Sequence, residues 1–142
     1  MAITRTSEAE WKGALKEGTG TVKLGSGAFA GQYGFKSRFE NGPGTNPEEL
    51  IAAAHSACYS MAMSLALGEA GLTAEQIETH ATVSLEKSGD GFEITSSALT
   101  VNAKIPGASQ EQFQTIAAAV KLNCPVSKLL KAKVTLNARL ID

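Results

Sequence analysis

The chain has 142 residues, 43% of them hydrophobic and 19% charged, with a formal net charge of −1, a profile that suits one soluble domain able to bury a core. A charge so near zero, with its basic residues scattered, gives no electrostatic argument for nucleic acid or an anionic membrane as partner. The N-terminus, MAITRTSEAEWKGALK, has no apolar stretch of signal-peptide length, so a cytoplasmic location is expected, where two cysteines are free or redox-active more often than permanently bridged.

No repeat, low-complexity tract or linker interrupts the sequence, so a single domain over 1–142 is expected. The first third is rich in Gly and Thr. Short alternating pieces predict strands at Ser7 to Trp11, Gly20 to Leu24 and Gly34 to Glu40, with a loop over Gly25 to Gly31. A strongly marked helix follows, TNPEELIAAAHSACYSMAMSLALGEAG. Asn46 is its cap, Pro47 stands at the favoured first position, and Glu49 three residues on completes a capping box. Glu48 and Glu49 complement the positive end of the helix dipole, and Gly71 is the stop.

The face of this helix through Ala54, Cys58, Met61, Ala62 and Leu65 is apolar, and the other faces carry little charge. His55, Ser56, Ser60 and Ser64 break the run, which reads as a buried helix of a soluble protein rather than a membrane span. A helix this apolar in so short a chain implies that a second subunit covers part of it, so a homodimer is expected.

Beyond it, Ala81, Val83 and Leu85 alternate into the turn Ser88-Gly89-Asp90-Gly91, and Phe92 and Ile94 open a return arm continued by Leu99, Val101, Ala103 and Ile105. Pro106-Gly107 ends it. A helix opened by Ser109 or its neighbours runs through Phe113, Ile116, Ala117 and Val120 to Cys124-Pro125. A short helix from Val126 to Ala132 and a strand through Val134, Leu136, Ala138 and Leu140 complete the chain. The order, strands, helix, two strands, helices, strand, is α+β rather than a regular βαβ winding.

Three places can carry chemistry. Cys58 on an alanine-rich helix is, taken alone, most simply a small buried hydrophobe. His55 stands three residues before it and raises a metal or thiolate–imidazolium option, but zinc needs three or four ligands and the two cysteines and two histidines form no tight cluster. Cys124 precedes proline and is placed to cap the next helix, where unpaired N–H groups lower a thiol's pKa; a bare break between helices is the plainer alternative. Arg38, with aromatic neighbours in YGFKSRFE, is either a solvated edge residue or a guanidinium that holds an anion.

The segments YGFKSRFE, GTNPEELIAAAHSACYSMAMSLALGEAG and NCPVSKLLKAKVTLNARL resemble the OsmC/Ohr family, osmotically inducible protein C and the organic hydroperoxide resistance proteins. The resemblance runs over nearly the whole chain, and YGFKSRFE followed by GPGTNPEEL is closer to the OsmC branch. It implies an intertwined α+β homodimer, with sheets packed around long central helices and sites at the subunit interface. The activity implied is thiol peroxidase, without haem, metal, flavin or other cofactor, on organic hydroperoxides and hydrogen peroxide, with a dithiol or lipoylated protein as reductant. Cys58 matches the peroxidatic cysteine, Cys124 the resolving one, Arg38 the arginine at the reactive thiol and Glu48 the carboxylate that orients it.

Helix geometry adds a constraint. Glu48 and Cys58 lie ten residues apart on one helix, roughly 15 Å along its axis and on different faces. Glu48 therefore cannot hold an arginine directly against Cys58 of its own chain. Arg38 and Glu48 are expected from one subunit and Cys58 and Cys124 from the other. A redox-sensing or small-molecule-binding dimer without turnover is one competing reading and a metal-binding or structural stress protein is another; a binding module has no need for all four residues.

Overall fold

Alternation in SEAEWK and TGTVKL produces the first two strands, β1 (Ser7–Lys12) and β2 (Thr19–Leu24), which pair antiparallel. The computed structural model, which describes residues 1–142, divides into two compact units, Met1–Leu50 and Ile51–Asp142. In the first, β2 is the centre of a three-stranded sheet completed by β3 (Ala30–Tyr33). The rings of Trp11 and Tyr33 meet at 5.6 Å between centroids. Gly20 lies beneath them, where a Cβ would come within 2.5 Å of the Tyr33 ring.

Two expectations fail here. The third strand begins inside the expected loop, at Ala30, and Gly34 to Glu40 is not a strand but a short helix, α1 (Phe35–Phe39). Its spacing of aromatics fits both readings. Ser37 decides between them: its hydroxyl accepts from the Gly34 N–H at 2.9 Å and donates to the Gly34 carbonyl at 3.1 Å, closing a helical turn. Phe35 and Phe39, four residues apart, then meet on one helix face with their rings tilted at 43° and centroids 5.0 Å apart.

Helix α2 (Pro47–Glu69) starts as its caps require, with the Glu49 N–H donating to Asn46 Oδ1 at 2.7 Å. The Glu49 carboxylate takes the Thr45 hydroxyl at 2.7 Å instead of reaching back to Asn46, so only half of the expected capping box forms. Gly71 ends the helix at φ +76, with the Leu72 N–H reaching the Leu67 carbonyl at 2.8 Å.

The second unit holds β4 (Gln76–Ser88), β5 (Gly91–Lys104), α3 (Gln110–Asn123), α4 (Pro125–Leu129) and β6 (Lys133–Ile141). β4 and β5 form a long hairpin. Its register skips Thr95, because Ser84 faces Ser96 while Leu85 faces Ile94. This bulge explains why the apolar phase moves from even positions at Phe92 and Ile94 to odd ones at Leu99, Val101 and Ala103. β6 returns parallel to β5, so the α+β chain contains one βαβ crossover after all. Gln110 and Gln114 of α3 donate side-chain N–H groups to the Leu140 and Ala138 carbonyls, and so satisfy acceptors of β6, an edge strand.

Tyr59, Met63 and Leu67 from α2, Leu99, Val101 and Ala103 from β5, and Phe113, Ala117 and Val120 from α3 form the core with Cys124. Helix α2 is long and apolar enough by composition to span a membrane, but its stripe at four-residue spacing, His55, Tyr59, Met63 and Leu67, is fully buried in the protein. Within the single protomer the burial is one-sided, since Met61 is 76% and Leu65 67% exposed.

Candidate active site

The four residues singled out in the sequence form two pairs, Arg38 with Glu48 and Cys58 with Cys124. The first is assembled locally. After α1 the chain is held by the Thr45 N–H on the Gln32 carbonyl, 2.8 Å, and by the Asn46 side-chain amide on the Ser37 carbonyl, 2.9 Å. This places Glu48, in the first turn of α2, beside Arg38 of α1. Arg38 Nε and Nη2 each donate to one carboxylate oxygen at 3.0 Å, a bidentate pair. Glu48 is buried and Arg38 half-exposed, with the guanidinium over the Phe39 ring at 5.5 Å. The pair uses one edge of the guanidinium and leaves Nη1 open to another acceptor. An apolar cavity of about 250 Å³, walled by Trp11, Leu15, Tyr33, Phe35 and Phe39, adjoins Arg38.

The second pair is brought together over 66 residues of chain, with the two sulfurs in hydrogen-bonding contact at 3.1 Å and both thiols free. Cys124 closes α3 with its N–H on the Val120 carbonyl, 2.9 Å, and is at once the N-cap of α4, as its position before Pro125 predicts. Burial alone would raise the Cys124 thiol. The Ser127 N–H, the Cys58 thiol, the Ser127 hydroxyl and the Val126 N–H outweigh it, and Cys124 lies below its ordinary value. Burial pushes the Cys58 thiol up; the Val126 N–H opposes this and the Cys124 sulfur adds to it. None of these groups acting on Cys58 is a cation. Tyr59, raised by burial and then by charge on Cys124, stays a phenol and donates to the Ala117 carbonyl at 2.9 Å.

His55 has a different role from the ligand or thiolate partner considered above. It is fully buried, and its Nδ1 lies 2.7 Å from the Ser97 hydroxyl and its Nε2 2.7 Å from the Ser127 hydroxyl. Burial holds it below its ordinary pKa, so the ring is neutral. Ser97 and Ser127 carried no signal in the sequence, since they stand 42 and 72 positions from His55.

Residues 40–139 match the model of the OsmC family, described as OsmC-like protein. The chain belongs to the OsmC family. Over 141 residues, 99% of each chain, it is 50% identical to the peroxiredoxin OsmC of Escherichia coli strain K12. With the organic hydroperoxide resistance protein OhrB of Bacillus subtilis it shares 31% identity over 102 residues, 71% of this chain and 73% of that one. The longer and closer match puts it in the OsmC branch of the wider OsmC/Ohr family, as YGFKSRFE and GPGTNPEEL suggested. The crystal structure of Bacillus subtilis OhrB superposes with a TM-score of 0.72 at 27% identity, over 96% of this chain and 98% of that one. An OsmC-like protein of Mycoplasma pneumoniae shares the fold, with a TM-score of 0.77 at 17% identity over the full length of both chains.

Proposed function

We propose that this OsmC-family protein works as a homodimer, with two sites each built from Arg38 and Glu48 of one protomer and Cys58 and Cys124 of the other. The activity is cysteine-based peroxide reduction, in keeping with its full-length likeness to a peroxiredoxin. The observation that carries the reading is the pair of reduced sulfurs at 3.1 Å, which need only a small approach to reach disulfide geometry.

Cys58 is the nucleophile, and Arg38 supplies the cation that its own surroundings lack. A guanidinium beside the sulfur favours the thiolate, and Glu48 fixes the guanidinium. The thiolate attacks one peroxide oxygen, the O–O bond breaks, and the leaving alkoxide or hydroxide takes a proton to become alcohol or water. Cys58 is left as sulfenic acid. Cys124 attacks that sulfur, hydroxide leaves and is protonated to water, and the disulfide forms. A dithiol, small or lipoyl-bound, restores both thiols by exchange. Organic hydroperoxides suit the apolar cavity at Arg38 and the apolar Met61 and Leu65.

Dimerisation is supported by the exposure of Met61 and Leu65 on a helix whose opposite side is core, and by the separation of Glu48 from Cys58 along α2. The whole of 1–142 acts in that dimer as one OsmC-like domain, in the cytoplasm, within stress defence. The test is thiol counting before and after one equivalent of cumene hydroperoxide. Both thiols are expected to disappear and to return with dithiothreitol, and Cys58→Ser is expected to abolish peroxide consumption. Turnover in that variant, or oxidation that leaves Cys124 free, contradicts the reading.

A further inference from the structure

The polar chain behind Cys124 goes beyond the four residues above. It runs Ser97, His55, Ser127, Cys124, Cys58, and crosses the core between β5, α2 and α4. A buried histidine flanked by two hydroxyls, each 2.7 Å away, has one proton to place on two nitrogens. The Ser127 hydroxyl has one proton to give, and it goes to the Cys124 sulfur. Its oxygen must then accept from His55, so Nε2 carries the proton and Nδ1 is bare. The Ser97 hydroxyl completes the chain by donating to Nδ1. From Ser97 through His55 and Ser127 the hydrogen bonds then point one way, toward Cys124, whose sulfur meets that of Cys58 at 3.1 Å.

We propose that His55 is a positioning residue for disulfide formation: its Nε2–H orients the Ser127 hydroxyl onto the Cys124 sulfur, which lies in contact with Cys58. The inference rests on the reading of Cys124 as the resolving thiol. In that step the Cys124 thiolate supplies the electron pair of the new S–S bond, the S–O bond of the Cys58 sulfenic acid breaks, and the departing hydroxide is protonated to water. His55 exchanges no proton. Because its ring is neutral and relayed through Ser127, it directs a hydroxyl where a charged imidazolium would compete for the thiolate. The groups facing the Cys124 sulfur are the Ser127 hydroxyl and N–H, the Val126 N–H, the Cys58 thiol and, by charge, the Tyr59 phenol, and none of these is a cation that replaces the relay.

Three measurements test this. Nitrogen NMR of the reduced dimer labelled at histidine should show His55 as the neutral Nε2–H tautomer; the Nδ1–H tautomer would turn the Ser127 hydroxyl toward the ring and overturn the proposal. In Cys58→Ser, ultraviolet titration of the Cys124 thiolate should move to higher pH when Ser127→Ala is added; an unmoved titration overturns it. In otherwise intact protein, Ser127→Ala should slow conversion of sulfenic acid to disulfide by about tenfold or more, the loss expected for one hydrogen bond to a charged group, and His55→Gln, which can still donate to Ser127, should fall less than His55→Leu. Disulfide formation at the unmodified rate in Ser127→Ala contradicts the role. The first two readouts need no peroxide turnover. If the intact protein forms no disulfide at all, the assigned function has failed; if it does and the variants match it, only this inference has.

Discussion

The two units of the chain solve opposite problems. The C-terminal unit, Ile51–Asp142, contains every buried apolar side chain of the protomer, Tyr59 through Cys124, and its polar groups are bonded over long sequence distances. The N-terminal unit, Met1–Leu50, buries no large apolar residue; β1 is exposed along its whole length, and apart from Gly20 what it buries is Ser37, Thr45 and Glu48. A three-stranded sheet without a covered apolar face is marginal in water. One unit is thus a core with thiols set into it, while the other is a scaffold for an ion pair. The lesson is chemical as well as structural. The thiols have hydrogen-bond donors but no cation among them, whereas the unit without a core holds a guanidinium by one edge and leaves the other spare.

The most severe way to break this contrast is at the face of α2 turned away from the core. Met61→Glu with Leu65→Glu puts two charges on the exposed apolar side and leaves His55, Tyr59, Met63 and Leu67 untouched. Light scattering should report a single protomer, and peroxidase activity should fall to background with the C-terminal core still folded. A variant that remains dimeric and active removes the need for a covering subunit.

A milder change separates the halves without separating the protomers. Glu48→Gln keeps the side chain's size but removes the charge from a bidentate pair of 3.0 Å bonds. The rate of Cys58 oxidation should drop about tenfold or more, as for one hydrogen bond between charged groups. The alkylation profile of Cys58 should shift to higher pH while that of Cys124 stays in place. Equal shifts of both cysteines would mean that the ion pair acts on the core as a whole.

The smallest expected effect belongs to the C-terminal unit alone. Burial lowers His55 from its ordinary value of 6.5, so below that pH the unfolded chain binds a proton that the folded chain resists. Stability should therefore be level above about 6.5 and decline as pH falls from there toward the lower folded value. Urea midpoints across that range should fall with acid, and His55→Gln should flatten this part of the slope.

Much of this was legible in the sequence where the signals are local. Asn46-Pro47 marks the start of α2, Gly71 its end, and Cys124-Pro125 the break between α3 and α4, because caps and proline act within a turn. The segment Gly34 to Glu40 misled, since Tyr33, Phe35, Ser37 and Phe39 alternate like a strand and only the Ser37 hydroxyl, bonded at both ends of Gly34, favours the helix. The bulge at Thr95 was written as a change of apolar phase along β5. His55 drew notice for its distance from Cys58 in sequence, whereas its partners are Ser97 and Ser127, which no local pattern connects. The separation of Glu48 from Cys58 needed only the rise of a helix.

The central claim is that each site takes its arginine and its cysteine from different protomers, and subunit complementation tests it most directly. Arg38→Met and Cys58→Ser proteins, each inactive alone, are mixed, unfolded and refolded together. Half of the dimers should then be mixed, and each mixed dimer has one site with both Arg38 and Cys58 intact, so about a quarter of the original activity should return if pairing is random. If each protomer used its own Arg38 on its own Cys58, every site in the mixture would lack one residue, and no activity would return.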